Sequence, residues 1–289
     1  MNELFKRTIT GFIYTFLLLA AIMLNTDAFD FLFLSFGIIC LFEFKMLIRL
    51  KELHIFLAFL FLWWLFIHLK LPEFMLYMLL LLTLLTNISL ILSLFNEKVP
   101  LRKQNNNTKL LISLLYIGGG CLFVPLIYRH EDHPADASEF IQYMFNNESQ
   151  ITMIGILCII WASDTFAYLS GRTFGKHKLF ERISPKKTIE GFVGGLIGAT
   201  AVAILFDIYS VRPMWQWIVM AEVLVVMGTI GDLVESSFKR TAGVKDSGTI
   251  LPGHGGFLDR LDSLIFTAPF VGLLLVIAHF LFQELDLSI

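Results

Sequence analysis

The densest group of reactive side chains in this sequence lies between residues 231 and 263. Asp232 and Glu235 are three residues apart, and the same spacing separates Asp259 from Asp262. Because residues three apart share one face of a helix, two helices could direct two carboxylate pairs to one point. Carboxylates that close repel one another unless a cation lies among them, and oxygen ligands favour Mg²⁺, which commonly also binds phosphates. The spacing therefore predicts a magnesium site.

The segment between the two carboxylate pairs is rich in basic residues and glycine. Its basic residues are Lys239, Arg240 and Lys245, and Arg260 follows between Asp259 and Asp262. Backbone N–H groups in a glycine-rich loop can approach phosphate oxygens, and Lys and Arg form strong charge-assisted hydrogen bonds with phosphate. His254 could donate to a phosphate oxygen or hold the turn. A metal, a cationic clamp and a glycine cradle are components of phosphoryl or nucleotidyl transfer.

Two further polar segments precede this one. Asp164 interrupts an apolar stretch and is followed by Arg172. Ionisable groups in such stretches usually face a cavity or functional site, although a hydrogen bond between helices is the alternative. Ser184 before a proline predicts a helix start capped by that serine. A helix N-terminus beside Lys186 and Lys187 would bind an anion such as phosphate, unless the lysines only mark the cytoplasmic side.

The composition identifies the kind of scaffold that must position these residues. Hydrophobic residues make up 56% of the 289 residues and charged residues 16%, against about 45–50% and about 25% in soluble domains. The mean hydropathy is +0.74. These values exclude a soluble enzyme, a secreted disulfide scaffold and a disordered chain. The net charge of −2 provides no basic field for nucleic acid, so no nucleic-acid partner is expected.

Nine stretches are apolar, and their lengths are close to the roughly 20 residues that a membrane-spanning helix needs. The sequence therefore predicts an all-α, polytopic integral membrane protein with about nine transmembrane helices. The stretches are 8–25, 28–44, 55–71, 74–95, 110–128, 151–171, 191–209, 215–234 and 263–283. Gly191, Gly194 and Gly195, at the start of the seventh stretch, predict close helix packing.

The distribution of positive charge predicts the orientation. With a cytoplasmic N-terminus and an outside C-terminus, all of the 22 Lys and Arg residues except Lys70, Arg129 and Arg212 fall on the cytoplasmic side, as the positive-inside rule requires. Residues 1–109 are expected to embed the protein in the membrane and are candidates for oligomerisation contacts. Residues 110–289 are expected to hold the catalytic region, with cytoplasmic motif loops at 172–190 and 235–262.

No Walker motif, GxGxxG, Ser-His-Asp or HExxH pattern is present, which argues against a P-loop or Rossmann nucleotide site. The segment that begins at Ser236 instead resembles the signature of the phosphatidate cytidylyltransferase family, the CDP-diacylglycerol synthases. The matching residues are Ser236-Ser237-Phe238-Lys239-Arg240, Lys245-Asp246, Gly248, Leu251-Pro252, His254-Gly255-Gly256-Phe257 and Asp259-Arg260-Leu261-Asp262. The resemblance covers about residues 150–265 by motif and is only generic before them.

The resemblance implies an enzyme that joins CTP and phosphatidate into CDP-diacylglycerol and releases pyrophosphate. It implies a divalent metal held by Asp232 and Asp259, expected to be Mg²⁺, and leaves a second cation open. It also implies a homodimer in membrane lipid. The small size of the chain is expected of a bacterial inner-membrane protein, and the positive charge predicts an active site that faces the cytoplasm. The expected catalytic residues are Asp232, Asp259, Lys239, Arg240, Lys245, Asp246, His254, Arg260 and Asp262. The expected substrate-binding residues are Asp164, Arg172, Ser184, Lys186, Lys187, Thr188, Glu235, Ser236, Gly255 and Gly256.

Two other functions remain open at this point. A CTP-dependent kinase of polyprenol or another lipid alcohol would use the same nucleotide but would need a base to activate its hydroxyl nucleophile. An ion-coupled transporter would use Asp164 and Asp232 as relay carboxylates, but transporter sites lie near the bilayer midplane and often between repeats. Here the charges gather toward one surface and no repeat is found, so an enzyme is favoured.

Overall fold

The computed structural model of the protein describes residues 3–69, 71–95, 101–129, 148–210, 212–253 and 255–286. These residues form ten α-helices and one short hairpin. The helices are α1 (Glu3–Leu24), α2 (Thr26–Ile48), α3 (His54–Trp63), α4 (Glu73–Phe95), α5 (Asn106–Ser113), α6 (Gly120–Arg129), α7 (Glu148–Phe174), α8 (Ile189–Asp207), α9 (Met214–Ala242) and α10 (Leu258–Asp286). A π-helical turn, Trp64–His68, extends α3, and another, Leu114–Gly119, joins α5 to α6. The hairpin consists of β1 (Lys178–Phe180) and β2 (Ser184–Thr188).

Seven of the described helical segments are long and apolar enough to cross a membrane. Two shorter apolar helices, Thr8–Leu24 and His54–His68, occupy the first and third predicted stretches. The expectation of a helical polytopic membrane protein is confirmed, since every predicted apolar stretch coincides with a helical segment. A count of nine spans and the orientation of the termini remain predictions.

Helices α7 and α8 pack closely because α8 presents glycine to its neighbour. A Cβ atom on Gly195 would lie 3.1 Å from Ser163, and Gly194 and Gly198 abut Ser170 and Phe166 with no room for a side chain. The predicted close packing at these glycines is confirmed. It brings the C-terminal end of α7 beside the N-terminal end of α8.

An aromatic cluster joins α2 to the last two helices. The ring of Phe44 on α2 lies 5.0 Å from that of Phe238 on α9 and 5.5 Å from that of Tyr116. Tyr116 in turn lies 6.0 Å from Phe266 on α10. Edge-to-face contacts of this kind add to the area that the rings bury. They hold the end of α2 against α9 and α10.

The expectation that a helix starts at Ser184 is wrong. Ser184 begins β2, which pairs antiparallel with β1, and the helix starts five residues later. Thr188 is its N-cap, with the Thr188 hydroxyl oxygen accepting from the Gly191 N–H at 3.1 Å. Ser, Thr and Pro suit turns and strand ends as well as helix starts, so the local signal could not choose between them.

A carboxylate of the protein itself, that of Glu190, lies at the N-terminus of α8. Glu190 in the first turn of α8 accepts from the backbone N–H groups of Lys176 at 3.1 Å and His177 at 3.2 Å. Its carboxylate also lies 2.6 Å from Nδ1 of His177. Glu190 therefore fixes the chain between α7 and the hairpin.

The helices also extend beyond their predicted ends. Helix α9 continues to Ala242 and α10 begins at Leu258, so the predicted loop 235–262 is reduced to residues 243–257. Seven of the expected site residues in that range therefore lie on helices: Glu235, Ser236, Lys239, Arg240, Asp259, Arg260 and Asp262. Regular backbone holds them more rigidly than a loop would.

Candidate active site

The predicted reactive segments meet at one end of the helical bundle. The C-terminal ends of α7 and α9 lie there with the N-terminal ends of α8 and α10. Helix α9 carries Asp232, Glu235 and Lys239, and the first two turns of α10 carry Asp259 and Asp262. The spacing of three within each pair does place its members on neighbouring parts of one helix face.

Three of the four carboxylates form a cluster. Asp232, Glu235 and Asp262 each offer one oxygen, and these oxygens all lie within 4.8 Å of one another. Glu235 is fully buried and Asp262 is 8% exposed. Among the residues that the structure describes, Oε1 of Glu235 has no hydrogen-bond partner. A buried acceptor without a partner is costly, and this one lies within the cluster.

The cluster fits a divalent cation. Its donors are oxygen only, which suits Mg²⁺, and the open Glu235 oxygen would gain a partner. The family resemblance assigns the metal to Asp232 and Asp259. In the structure, however, the cluster contains Asp232 and Asp262, and Asp259 is not part of it.

Asp259 makes a different set of contacts. Its Oδ2 accepts from the backbone N–H of Ser247 at 2.9 Å and of Gly256 at 2.8 Å. Its Oδ1 lies 2.7 Å from Nζ of Lys239. Gly255, at φ +90°, brings the loop so close that a Cβ there would lie 2.9 Å from the Asp259 carboxylate. Asp259 thus holds the loop of residues 243–257, which we call the glycine loop, onto α9.

Two lysines balance the carboxylates. Lys239 forms ion pairs with both Glu235 and Asp259. Lys187, from the hairpin, lies 2.5 Å from Asp232. The Ser236 hydroxyl donates to Asp232 at 3.4 Å. The site is therefore a network of opposite charges rather than an acidic cluster alone.

A cavity of about 360 Å³ opens between α7, α8, α9 and the hairpin. We call it the hairpin cavity. Its cationic wall contains Arg172, Lys186 and Lys187, and Asp164 and Asp232 border it. Thr188 also lines it, and the Arg172 guanidinium donates to the Tyr168 hydroxyl at 3.3 Å. The two earlier motif segments therefore form one cationic wall beside the carboxylates.

A second cavity, of about 250 Å³, lies on the other side of the cluster. We call it the α1 cavity, because α1 contributes Thr10 and Tyr14 to it. Trp161, Arg260 and Asp262 line it as well. Asp164 and Ser263 border both cavities. The carboxylate cluster therefore stands between two spaces, with Asp232 facing one and Asp262 facing the other.

The glycine loop forms a polar pocket that adjoins the α1 cavity. Lys245, Asp246, Gly255 and Arg260 line this loop pocket, and it shares Arg260 and Leu251 with the α1 cavity. Basic side chains and a glycine-rich backbone therefore occur together, as the sequence predicted.

Some expected residues lie elsewhere. Arg240 faces away from the cluster, where its Nε donates to the Ile183 carbonyl at 3.3 Å, and it lines a different cavity with Arg182. Ser184 lies on β2 and borders neither of the two cavities beside the cluster, and His254 falls outside the described residues. The face of a helix that meets its neighbours depends on packing, which the spacing alone did not reveal for Arg240.

The first two helices supply residues that the sequence analysis missed. On α1, Thr10 donates to the Pro252 carbonyl at 3.1 Å and Tyr14 to the Arg260 carbonyl at 3.4 Å. On α2, the buried Glu43 binds the glycine loop. Glu43 could have been singled out as an isolated carboxylate in an apolar span, whereas hydroxyls such as Thr10 and Tyr14 carry no comparable signal.

The helical membrane architecture and this charged site at the bundle end define an integral membrane protein with a network of carboxylates, lysines and arginines at one end of its helices. Residues 5–278 match the model of the cytidylyltransferase family. The chain belongs to that family, and the resemblance found in its signature residues is confirmed.

Curated relatives named phosphatidate cytidylyltransferase occur in staphylococci. The chain is 44% identical to that of Staphylococcus haemolyticus over 168 residues, which is 57% of this chain and 58% of the relative. It is 51% identical to that of Staphylococcus epidermidis over 120 residues, 41% of this chain and 46% of the relative. The matched regions thus span about half the length of these relatives, 58% of the first and 46% of the second.

Proposed function

We propose that the protein is a phosphatidate cytidylyltransferase, which converts CTP and phosphatidate into CDP-diacylglycerol and pyrophosphate. The carrying observation is the cluster of Asp232, Glu235 and Asp262 between two cavities, each bordered by cationic side chains. This arrangement suits a reaction between two phosphate-bearing substrates. The family membership and the names of the staphylococcal relatives support the same reaction.

The hairpin cavity suits the phosphate of phosphatidate. Arg172, Lys186 and Lys187 supply positive charge, while Ala167 and Phe192 provide apolar lining. By analogy with phosphorylated side chains, a phosphate monoester has a second pKa of about 6, so most of the lipid phosphate is a dianion at neutral pH. It is then a competent nucleophile, and no protein base is required.

The loop pocket and the α1 cavity suit CTP. Lys245 and Arg260 would hold the triphosphate, and the backbone of the glycine loop would approach its oxygens. An oxygen of the lipid phosphate attacks the α-phosphorus of CTP and forms a new P–O bond. The bond from the α-phosphorus to the bridging oxygen breaks, and its electron pair leaves with pyrophosphate. Lys245 and Arg260 then stabilise the charge of that leaving group.

Asp232, Glu235 and Asp262 would hold Mg²⁺ beside the reacting phosphates. When bound, the ion supplies stabilisation of negative charge on the phosphoryl oxygens. Lys187 and Lys239 orient Asp232 and Glu235 through their ion pairs. A second cation is not needed for this proposal.

We further propose that the site faces the cytoplasm in a bacterial inner membrane. Arg129 and Arg212 are two of the three basic residues assigned to the outside. They lie at the end of the bundle opposite the carboxylate cluster, where Arg129 pairs with Asp30 and Arg212 donates to Gln216 at the start of α9. This separation supports the orientation that positive charge predicts.

The decisive assay uses detergent-purified protein, phosphatidate, Mg²⁺ and CTP labelled in its α-phosphate. We expect label in the chloroform phase that depends on phosphatidate and disappears with EDTA. The kinase alternative predicts instead that γ-labelled CTP transfers its label to an isoprenoid alcohol. Absence of α-label from lipid, with folded protein and several acyl chains tested, would overturn the proposal.

Replacing Lys187 with Met tests the assignment of the hairpin cavity. The variant loses a charged hydrogen-bond donor to phosphate, which is worth about 1.5–3 kcal/mol, so we expect the KM for phosphatidate to rise by about tenfold or more. The KM for CTP should change far less. Steady-state kinetics with each substrate varied in turn makes the measurement.

Lys178→Met is the matched control, because Lys178 is exposed on the same hairpin and does not line the cavity. It should leave both KM values unchanged. A rise in the KM for CTP alone in the Lys187 variant would assign the hairpin cavity to the nucleotide instead.

A further inference from the structure

Glu43 links the N-terminal helices to the glycine loop. It lies near the C-terminal end of α2 and is 2% exposed. Its carboxylate accepts from the Ser247 hydroxyl at 3.1 Å, from the Phe257 N–H at 3.0 Å and from the Leu258 N–H at 2.8 Å. These donors belong to both ends of the loop, although more than two hundred residues separate them from Glu43 in the sequence.

The same loop is bound from the other side by Asp259. Ser247 donates its backbone N–H to Asp259 and its hydroxyl to Glu43. Where the loop leads into α10, the backbone N–H of Gly256 donates to Asp259. The backbone N–H groups of Phe257 and Leu258 donate to Glu43. Two carboxylates therefore hold the two ends of the loop together, and Asp259 is in turn paired with Lys239.

The loop has glycine where it passes Glu43. A Cβ atom on Gly256 would lie 2.6 Å from Oε2 of Glu43, and one on Gly248 would lie 2.8 Å from its carboxylate carbon. Any larger residue would displace the carboxylate or the loop. The close fit shows that the loop conformation and the position of Glu43 depend on each other.

We propose that Glu43 is a positioning residue for nucleotide binding. The inference rests on the proposed function, since the loop carries the groups assigned to the triphosphate. Glu43 does not touch the substrate in this account. It fixes the backbone of the loop, and through Ser247 it fixes Asp259, so that Lys245, Arg260 and the loop N–H groups face CTP before it binds.

The test is Glu43→Gln, which keeps the size of the side chain but replaces one acceptor oxygen with a donor amide. One of the three donors then loses its partner, which is costly when buried. We expect hydrogen exchange in the peptide covering residues 245–258 to accelerate by about tenfold or more, and the KM for CTP to rise by a similar factor. The KM for phosphatidate should stay within about twofold of the wild-type value, because Glu43 does not border the hairpin cavity.

Glu148→Gln is the matched control. Glu148 is also a buried glutamate, 6% exposed, but it lies at the opposite end of the bundle, where it pairs with Ser210. This variant should change neither the exchange of residues 245–258 nor the KM for CTP. If Glu43→Gln does not fold, Ser247→Ala removes only the hydroxyl contact and should give the same effects in weaker form. Glu43→Asp keeps both acceptor oxygens and should recover part of the loss.

Unchanged loop exchange and an unchanged KM for CTP in folded Glu43→Gln would overturn the inference. So would an equal rise in the KM of both substrates, which would indicate a general structural defect. Hydrogen exchange separates this inference from the proposed function because it needs no turnover. If the wild-type protein transferred no cytidylyl group while the loop still loosened in Glu43→Gln, only the role in CTP binding would fall.

Discussion

Asp232→Asn should reduce kcat/KM by at least about 100-fold. The substitution keeps the size of the side chain but removes a charged oxygen from the three-carboxylate cluster. A positioned metal supplies several kcal/mol of stabilisation to phosphoryl charge, and each 1.36 kcal/mol corresponds to about tenfold in rate. We also expect the Mg²⁺ concentration for half-maximal activity to rise. Activity measured over a Mg²⁺ titration tests both effects.

The control for this variant is Asp27→Asn, because the Asp27 side chain is 94% exposed at the opposite end of the bundle. It should behave as the wild type does. Retention of more than about a tenth of the activity by Asp232→Asn would contradict a metal-binding role, because metal stabilisation of several kcal/mol corresponds to a larger loss.

The same Mg²⁺ titration distinguishes the role of Asp262 from that of Asp259. Asp262 belongs to the cluster, so Asp262→Asn should raise the Mg²⁺ requirement. Asp259 binds the loop and Lys239, so Asp259→Asn should lose activity chiefly through weaker CTP binding. The opposite pattern would restore Asp259 as the metal ligand that the family resemblance implies.

Lys239→Met should abolish activity and also destabilise the protein. The Lys239 side chain is 12% exposed and pairs with Glu235, whose side chain is fully buried, and with Asp259, which is 10% exposed. Methionine retains the length but not the charge, so two buried carboxylates lose their counterion. Removing one partner of a buried pair typically costs about 3–5 kcal/mol. Thermal unfolding in detergent should show a clearly lower midpoint.

A second substitution identifies the cause of that destabilisation. Adding Glu235→Gln to Lys239→Met removes the buried charge, so the unfolding midpoint should recover in part while activity stays absent. Lys245→Met should leave the midpoint unchanged, because Lys245 is exposed. An unchanged midpoint in Lys239→Met itself would mean that the two carboxylates are stabilised by something other than this lysine.

The two variants test different contributions to one site. Asp232 is placed at the boundary of the hairpin cavity, whereas Lys239 connects the cluster to Asp259 and the glycine loop. Loss of the Asp232 carboxylate should mainly affect the chemical step. Loss of the Lys239 charge should affect folding, the order of the glycine loop and the binding of CTP together.

The sequence alone determined the helical membrane scaffold and most of the site. Apolar stretches of membrane-spanning length leave little choice of structure, because a backbone in lipid must satisfy its own hydrogen bonds. The spacing of Asp232 and Glu235 placed both on one side of α9. The signature residues from Ser236 to Asp262 identified the family that the whole-chain match then confirmed.

Local signals were insufficient where two structures use the same residue types. Ser184 and Pro185 suit a helix start, yet they form a strand because pairing with β1 becomes available. The spacing alone did not choose between Asp259 and Asp262 as the partner of Asp232, and the family resemblance implied Asp259. Gly231 lets α10 approach α9 at Phe266 and at the carbonyl of Asp262, 3.3 Å from where a Gly231 Cβ would lie. This close approach of the two helices accompanies the placing of Asp262 in one cluster with Asp232.

Only the tertiary structure placed Glu43, Thr10 and Tyr14 at the site and Arg240 away from it. Each of these outcomes depends on which face of one helix meets another. A span that is apolar around most of its circumference has no polar face to indicate its orientation. The packing of aromatic rings, such as Phe44 against Phe238, sets that orientation, and it joins residues that lie hundreds of positions apart.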